Sequence, residues 1–167
     1  KIEHRFEFEF SKEYLKGKSL LNIGSWTGPF ELLANDWTKD ITAVDIDEKP
    51  LKILKKNIPN VKCVKASVER LPFKNETFDV ITFWAVIEHI PKGYELAALR
   101  EINRVLKKGG FLFLTTMSEN LFSNLLDPAY FLVGHRHYKK EALKNMLKDA
   151  GFKEEKNLVT GSFITAF

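Results

Sequence analysis

Cysteine is almost absent from this 167-residue chain: Cys63 stands alone, so no internal disulfide can form and the core must hold without cross-links. A reducing, cytoplasmic setting fits that usage. Cys63 lies in the strand-like run Val61-Lys62-Cys63-Val64, where a buried, inert thiol is expected. No apolar run approaches the roughly 18–20 residues of a membrane span, and no signal-peptide pattern is visible. Arginine is sparse, and the basic residues form no dense cluster. Lys52, Lys55 and Lys56, and Lys139, Lys140, Lys144 and Lys148, are spread over helix faces. The net charge of +4 and the pI near 9.0 therefore read as a solvated lysine-rich surface rather than a nucleic-acid patch. There is no repeat, linker or low-complexity tract. What is plentiful is phenylalanine, with fourteen residues, in a chain that is 44% hydrophobic and 29% charged. That is enough to bury an aromatic-rich core on both sides of a sheet in a single domain spanning 1–167. The chain opens at Lys1 rather than Met, which leaves its completeness open.

Taken in order, residues 4–16 read as a helix, although Phe6, Phe8 and Phe10 recur at a strand-like spacing of two. Strands are expected at 19–23, 41–45, 61–64, 78–83 and 111–115, with two short ones near 152–159 and 162–167. Helices are expected at about 29–37, 48–57, 93–106 and 139–150. Pro29 suits a first helical turn, and Gly109-Gly110 and Gly151 read as helix stops. Residues 66–77 read as a loop. Residues 118–137 form a long aromatic stretch that fits either a substrate lid or packing under a connection. Strands alternating with helices imply right-handed crossovers: an α/β, Rossmann-like, doubly wound, mostly parallel seven-stranded sheet with helices on both faces.

The organising stretch is Leu20 to Ala34. A short apolar strand runs into a glycine turn, Gly24 to Gly28, and then into apolar residues at helical spacing. This layout sets backbone N–H groups against a ligand. Alone, it is also what an ordinary strand-to-helix connection looks like. Asp45 shifts the balance, because it ends the next strand about 20 residues after the first glycine, where a ribose-binding acid belongs. In such sheets ligands sit beyond the carboxyl ends of the strands. One crevice should therefore gather Gly24–Gly28, Asp45, the 66–68 loop and Phe83–His89.

Several stretches together resemble the class I S-adenosylmethionine-dependent methyltransferases, in particular their type 11 domain. LLNIGSWTG is similar to the family's first motif and AVDID to its second-strand acid. RLPFKNETFDVITFWAVIEHI resembles its loop, fourth strand and following turn. REINRVLKKGGFLFLTT resembles the segment into the fifth strand, and GHRHYKKEALKNMLKDAGF the late helix. The match covers 19–115 as the cofactor-binding core and 135–152 more loosely. The resemblance implies S-adenosylmethionine as cofactor and S-adenosylhomocysteine as product. It implies cofactor contacts at Asn22, Gly24, Ser25, Trp26 and Gly28, with Asp45 on the ribose hydroxyls. Ile46 would lie on the adenine and Ser67 and Val68 at its edge, with Phe83 and Trp84 under the methionine moiety. His89 would border the acceptor pocket as the candidate base, a role that its side-chain chemistry suits and that competes with a purely structural one. His135 and His137 would lie near the acceptor; as a lone pair they are too few for a metal site, and none is expected.

Three positions depart from the family pattern. Asn22 replaces an acid, Trp26 a small residue, and Ser67 an acid on the adenine amino group. An aromatic face at Trp26 or Trp84 could hold a sulfonium in partial compensation. These departures keep a second reading open, a catalytically inactive cofactor-binding module acting as a partner subunit. A nicotinamide-dependent oxidoreductase is a third, opposed by the missing third glycine. No Asn-Pro-Pro-Tyr-like element follows the fourth strand, which places a small-molecule or lipid-like acceptor ahead of nucleic acid. Neither the nucleophile nor the oligomeric state is legible.

Overall fold

Leu20 and Leu21 are neighbours on β1 (Leu20–Ile23), are both fully buried, and face opposite cores. The same alternation places Val80 and Ile81 of β4 (Phe78–Trp84), and Phe113 and Leu114 of β5 (Leu106–Met117), on opposite sides. Side chains alternate along a strand, so a strand buried on both faces reads as one continuous apolar run. β2 (Ile41–Asp45) and β3 (Lys62–Lys65) complete a parallel set in the order β3-β2-β1-β4-β5. β6 (Asn157–Thr160) and β7 (Phe163–Ala166) extend the sheet past β5 by antiparallel pairing, giving β3-β2-β1-β4-β5-β7-β6. The computed structural model describes residues 2–119, 136–155, 157–160 and 163–166, with side chains for 4–119 and 136–155.

One face carries α1 (Ile2–Leu15), α2 (Pro29–Ala34) and α3 (Glu48–Asn57). Phe8, Leu15, Phe30, Ala34, Leu51 and Leu54 pack there on Leu20, Ile41, Val80 and Phe113. The other face carries α4 (Glu95–Val105) and α5 (Lys140–Asp149). Leu99, Ile102, Leu143 and Leu147 pack on Leu21, Ile81, Phe83 and Leu112. The fold is α/β and Rossmann-like. Strand order reverses between β1 and β4, and the chain leaves both strands at the same edge, which fixes where a crevice can form.

In α1 the residues turned inward are Glu7, Phe8, Ser11 and Leu15, a helical stripe, while Phe6 is 45% exposed. The alternating phenylalanines therefore do not set its conformation. Contacts at non-local partners do: Phe8 meets Trp37 edge-on at 6.0 Å and Tyr14 meets Phe111 at 4.6 Å.

Three expectations need correction. Gly109-Gly110 does not end α4; the helix stops at Val105 and β5 begins at once at Leu106. Phe78 pairs with Leu106 and Val80 with Phe111, so the glycines sit in an irregularity of the strand. A Cβ on Gly110 would lie 2.7 Å from the Asp79 carbonyl, an approach only glycine allows. α2 ends at Ala34 rather than near 37, where the Trp37 and Thr38 N–H groups both return to the Ala34 carbonyl. Cys63 is half-buried rather than buried, and desolvation pushes its thiol up, which keeps it protonated. Most of the aromatic stretch 118–137, namely 120–135, lies outside the described residues.

Candidate active site

The chain leaving β1 bends toward β2 at once: the Gly24 and Ser25 N–H groups both donate to the Val44 carbonyl, at 2.8 and 3.1 Å. Gly24 has φ +77°, and a Cβ there would meet Val86 Cγ2 at 2.3 Å, so the turns after β1 and β4 touch across this glycine. Gly28, at φ +85°, lies against Leu54. Between them Trp26 adopts φ +46°, a strained conformation for a bulky residue. That strain aims its N–H at Asp45, whose Oδ2 accepts it at 3.0 Å. Oδ1 of Asp45 accepts the Asp47 N–H, also at 3.0 Å. Each carboxylate oxygen is thus oriented by one backbone donor. A carboxylate has about four acceptor positions, so capacity remains on both oxygens. Trp26 is 65% exposed, and Ile46, next to Asp45, is 70% exposed.

The loop after β3 joins the same edge through the Ala66 N–H, which donates to the Asp45 carbonyl at 3.1 Å. Val68 is buried in the core, and the exposed Ser67 hydroxyl accepts the Glu69 N–H at 3.3 Å. After β4, Ala85 also has a positive φ, +50°, and its N–H is held by the hydroxyl and carbonyl of Thr115. Next comes a single 3-10 turn, Ile87–His89. His89 is exposed on it, while Glu88 is buried and accepts the Thr116 hydroxyl at 3.1 Å. This turn is clamped from a distant part of the chain. Arg136 donates to the carbonyls of Ile87 and Ile90 and pairs with Glu95, and the Tyr138 hydroxyl donates to the Ile87 carbonyl at 3.1 Å. Burial pushes the Tyr138 phenol up, keeping it a donor. His137 is half-buried between these two residues, and His135 lies outside the described residues.

Asn22, Phe83 and Trp84 point into the interior. Asn22 donates from Nδ2 to Glu31 Oε1 at 2.7 Å and accepts the Thr82 hydroxyl at 2.8 Å, so both ends of its amide are engaged inside. Phe83 is fully buried on the α4 face. Trp84 lies on the α1/α2 face between Phe30, at 5.7 Å, and Phe113, at 6.1 Å. Glu31, fully buried on α2, was not singled out from the sequence. Its signal was there: it is an acid in the stripe Phe30, Glu31, Ala34, a helix face that otherwise carries apolar residues. Burial pushes its carboxyl up to about 7, against the lowering effect of the Asn22 hydrogen bond. Arg136 carried no local signal, because its partners lie more than forty residues away.

A cavity of about 610 Å³ lies at the other end of the sheet, between the start of β5, Asn103 of α4, and Phe152 to Glu155. None of the candidate residues lines it. It opens at the amino ends of the strands, away from the edge where this architecture binds ligands. Among the described residues no group of three His, Cys, Asp or Glu could hold a metal, and no helix is long and apolar enough to cross a membrane.

A left-handed glycine turn, an acid held beside it and an exposed apolar neighbour lie together at the carboxyl edge of the sheet, where proteins of the Rossmann-like class bind their ligands. Residues 21–114 match the family model described as "Methyltransferase domain". The chain belongs to that family, the type 11 domain of class I S-adenosylmethionine-dependent methyltransferases. It is similar to demethylmenaquinone methyltransferase of Staphylococcus aureus, 28% identical over 82% of this chain and 68% of that protein. A crystal structure of a candidate methyltransferase from Bacillus halodurans aligns with TM-score 0.81 and 26% identity, over 95% of this chain and 72% of that one. The [4+2]-cyclase SpnF shares the fold, with TM-score 0.79 and 22% identity over 93% of this chain and 58% of that one.

Proposed function

We propose that this chain, as a single domain, moves the methyl group of S-adenosylmethionine to a small-molecule or lipid-like acceptor, leaving S-adenosylhomocysteine. The observation that carries the cofactor side is the Asp45 carboxylate, fixed by the Trp26 and Asp47 N–H groups beside a left-handed Gly24. The site fits the group. Two positions on the turn are closed to any Cβ, the indole of Trp26 lies outward, and Ser25 Oγ is buried without a partner. Asp45 would accept both ribose hydroxyls, and the Gly24–Gly28 backbone would lie along the ribose and methionine end. Ile46 would cover the adenine, with Ser67 and Val68 at its edge. Trp26 would form the rim, and the β4 backbone at Phe83 and Trp84, whose side chains turn into the two cores, would pass under the methionine end. The bound cofactor supplies an electrophilic methyl on a sulfonium. The chain's own contribution is then to orient, to exclude water and, at His89, to take a proton from the acceptor. The Arg136 and Tyr138 clamp positions that turn, with His137 beside the acceptor.

The Staphylococcus relative's name supports an acceptor of the quinone type, small and lipid-like. A cyclase on the same fold cautions that architecture alone does not assign methyl transfer. Titration calorimetry with S-adenosylhomocysteine tests the cofactor reading: binding is expected, with none for NAD. Asp45→Ala should weaken it more than about a hundredfold, since two charge-assisted hydrogen bonds are lost. Unchanged affinity overturns the assignment. Radiolabelled transfer to a reduced naphthoquinone with an open ring position tests the acceptor class, and binding without any transfer favours the inactive-module reading.

A further inference from the structure

Glu31 is a carboxyl group with 0% exposure, yet only one of its oxygens is engaged. Its Oε2 has no hydrogen-bond partner. Among the described residues two other buried side-chain atoms are in that position, Ser25 Oγ and Trp84 Nε1. All three belong to the glycine turn, the helix that leaves it, or the end of β4. Buried polar groups are nearly always paired, so an orphaned carboxyl oxygen on the helix that leaves the glycine turn calls for a reason. A buried acid is also expensive. An apolar side chain at 31 would pack with Phe30 and Ala34 without the desolvation cost of a carboxyl group. Its link to the turn is direct: Thr82 to Asn22 to Glu31 is a continuous chain of hydrogen bonds, and Asn22 is two residues before Gly24.

We infer that Glu31 is a positioning residue of the cofactor cradle: joined to the Gly24 turn through Asn22, it supplies the site's buried negative charge and releases its proton to solvent when a cationic cofactor end binds. This rests on the cofactor reading above. In the free chain burial disfavours the anion and Asp45 of β2 adds repulsion, so the acid keeps its proton to a much higher pH than an exposed carboxyl would. His4 of α1 acts in the opposite sense, and Cys63 of β3 is close enough for its thiol to feel Glu31. Asn22 and Thr82, the remaining neighbours, are neutral. With the carboxyl raised to about 7, part of the population carries a proton at neutral pH that binding can displace. Binding of the ammonium at the methionine end, which S-adenosylmethionine and S-adenosylhomocysteine share, favours the carboxylate and drives that proton off.

Calorimetry of S-adenosylhomocysteine with the whole chain, in buffers of differing ionisation enthalpy, reads the proton directly. Net proton release on binding at pH 7 is expected, with affinity falling up to about tenfold per pH unit as the acid becomes fully protonated below that. Glu31→Gln should abolish the release and weaken binding, and His4→Gln should leave the release in place. The double variant Asn22→Asp, Glu31→Gln rebuilds the pair with acid and amide exchanged, and should recover affinity over Glu31→Gln alone. A merely structural Glu31 predicts neither proton release nor rescue. Binding with no release, release that persists in Glu31→Gln, release lost in His4→Gln, or a double variant no better than the single each overturns the inference while leaving the cofactor reading intact. If Glu31→Gln does not fold, the proton count of the unaltered chain and of His4→Gln still decides. Absence of any binding by the unaltered chain sinks the cofactor reading, and this inference with it.

Discussion

The two ends of the parallel sheet handle polar groups in opposite ways. At the amino end, Asp79 accepts the Ser19 N–H and hydroxyl at 3.0 and 2.6 Å and pairs with Lys107 at 3.0 Å. Nearby, Arg104 ties Glu101 to the carbonyls of Leu71 and Phe73. These contacts pair the charged groups of that edge with one another, beside the cavity that opens there. Non-glycine residues at positive φ occur at both ends, Glu76 at the amino end and Trp26 and Ala85 at the carboxyl end, but the orphaned atoms of Ser25, Glu31 and Trp84 belong to the carboxyl half. An end that satisfies its own polar groups holds the fold together. An end that leaves some of its polar groups unpaired is the one that the cofactor reading proposed above would complete.

The contrast is most sharply tested by exchanging acids. Asp45→Ala should cost about 3–5 kcal/mol of S-adenosylhomocysteine binding while moving the melting temperature little, since its oxygens serve two exposed backbone N–H groups. An equal loss of stability would mean that the carboxyl end is structural too. Next in size is a pH effect in the ligand-free chain. Glu31 is raised from 4.5 to about 7, so between those values the folded chain holds a proton that the unfolded chain has lost. Stability should therefore fall as pH rises through that window, by at most about 3 kcal/mol, and Glu31→Gln should flatten the slope in urea denaturation. Gly28→Ala should destabilise by about 2 kcal/mol, because its Cβ would lie 2.6 Å from Leu54 Cγ at a left-handed φ. At the other end, Asp79→Asn should cost about 1 kcal/mol at neutral pH with ligand affinity unchanged. The Ser19 contacts and Lys107 hold that acid down to about 2, so its contribution is present above about 3.8 and lost as pH falls through about 2. The smallest effect belongs to Trp26→Ala: stability within about 0.5 kcal/mol, and affinity reduced a few-fold if the indole covers the cofactor. Unchanged affinity would remove Trp26 from the rim.

Much of the carboxyl end was legible before any coordinates. Gly24, Gly28 and Asp45 are local signals, a turn and a strand end at a fixed separation, and the structure joins them by the Trp26 N–H. The layering was legible because apolar residues at periods of two and 3.6 report which faces are covered. Gly109-Gly110 was misread because a glycine pair looks the same at a helix stop and in a strand irregularity. Only the approach of the Asp79 carbonyl distinguishes them. Asn22 looked like a ligand position, yet its amide is taken up by Glu31 and Thr82, partners nine and sixty residues away.

The order of apolar and polar residues thus determined, by itself, the alternation of strands and helices and the pairing of a glycine turn with Asp45, because backbone preference and side-chain periodicity act over short stretches of chain. Tertiary structure decided that Trp26 faces outward, that Arg136 clamps the turn bearing His89, and that Glu31 is sealed beneath the cradle. Those outcomes depend on which distant groups meet in a space that excludes water, and there burial and hydrogen bonding, not sequence spacing, set the energy of each charge.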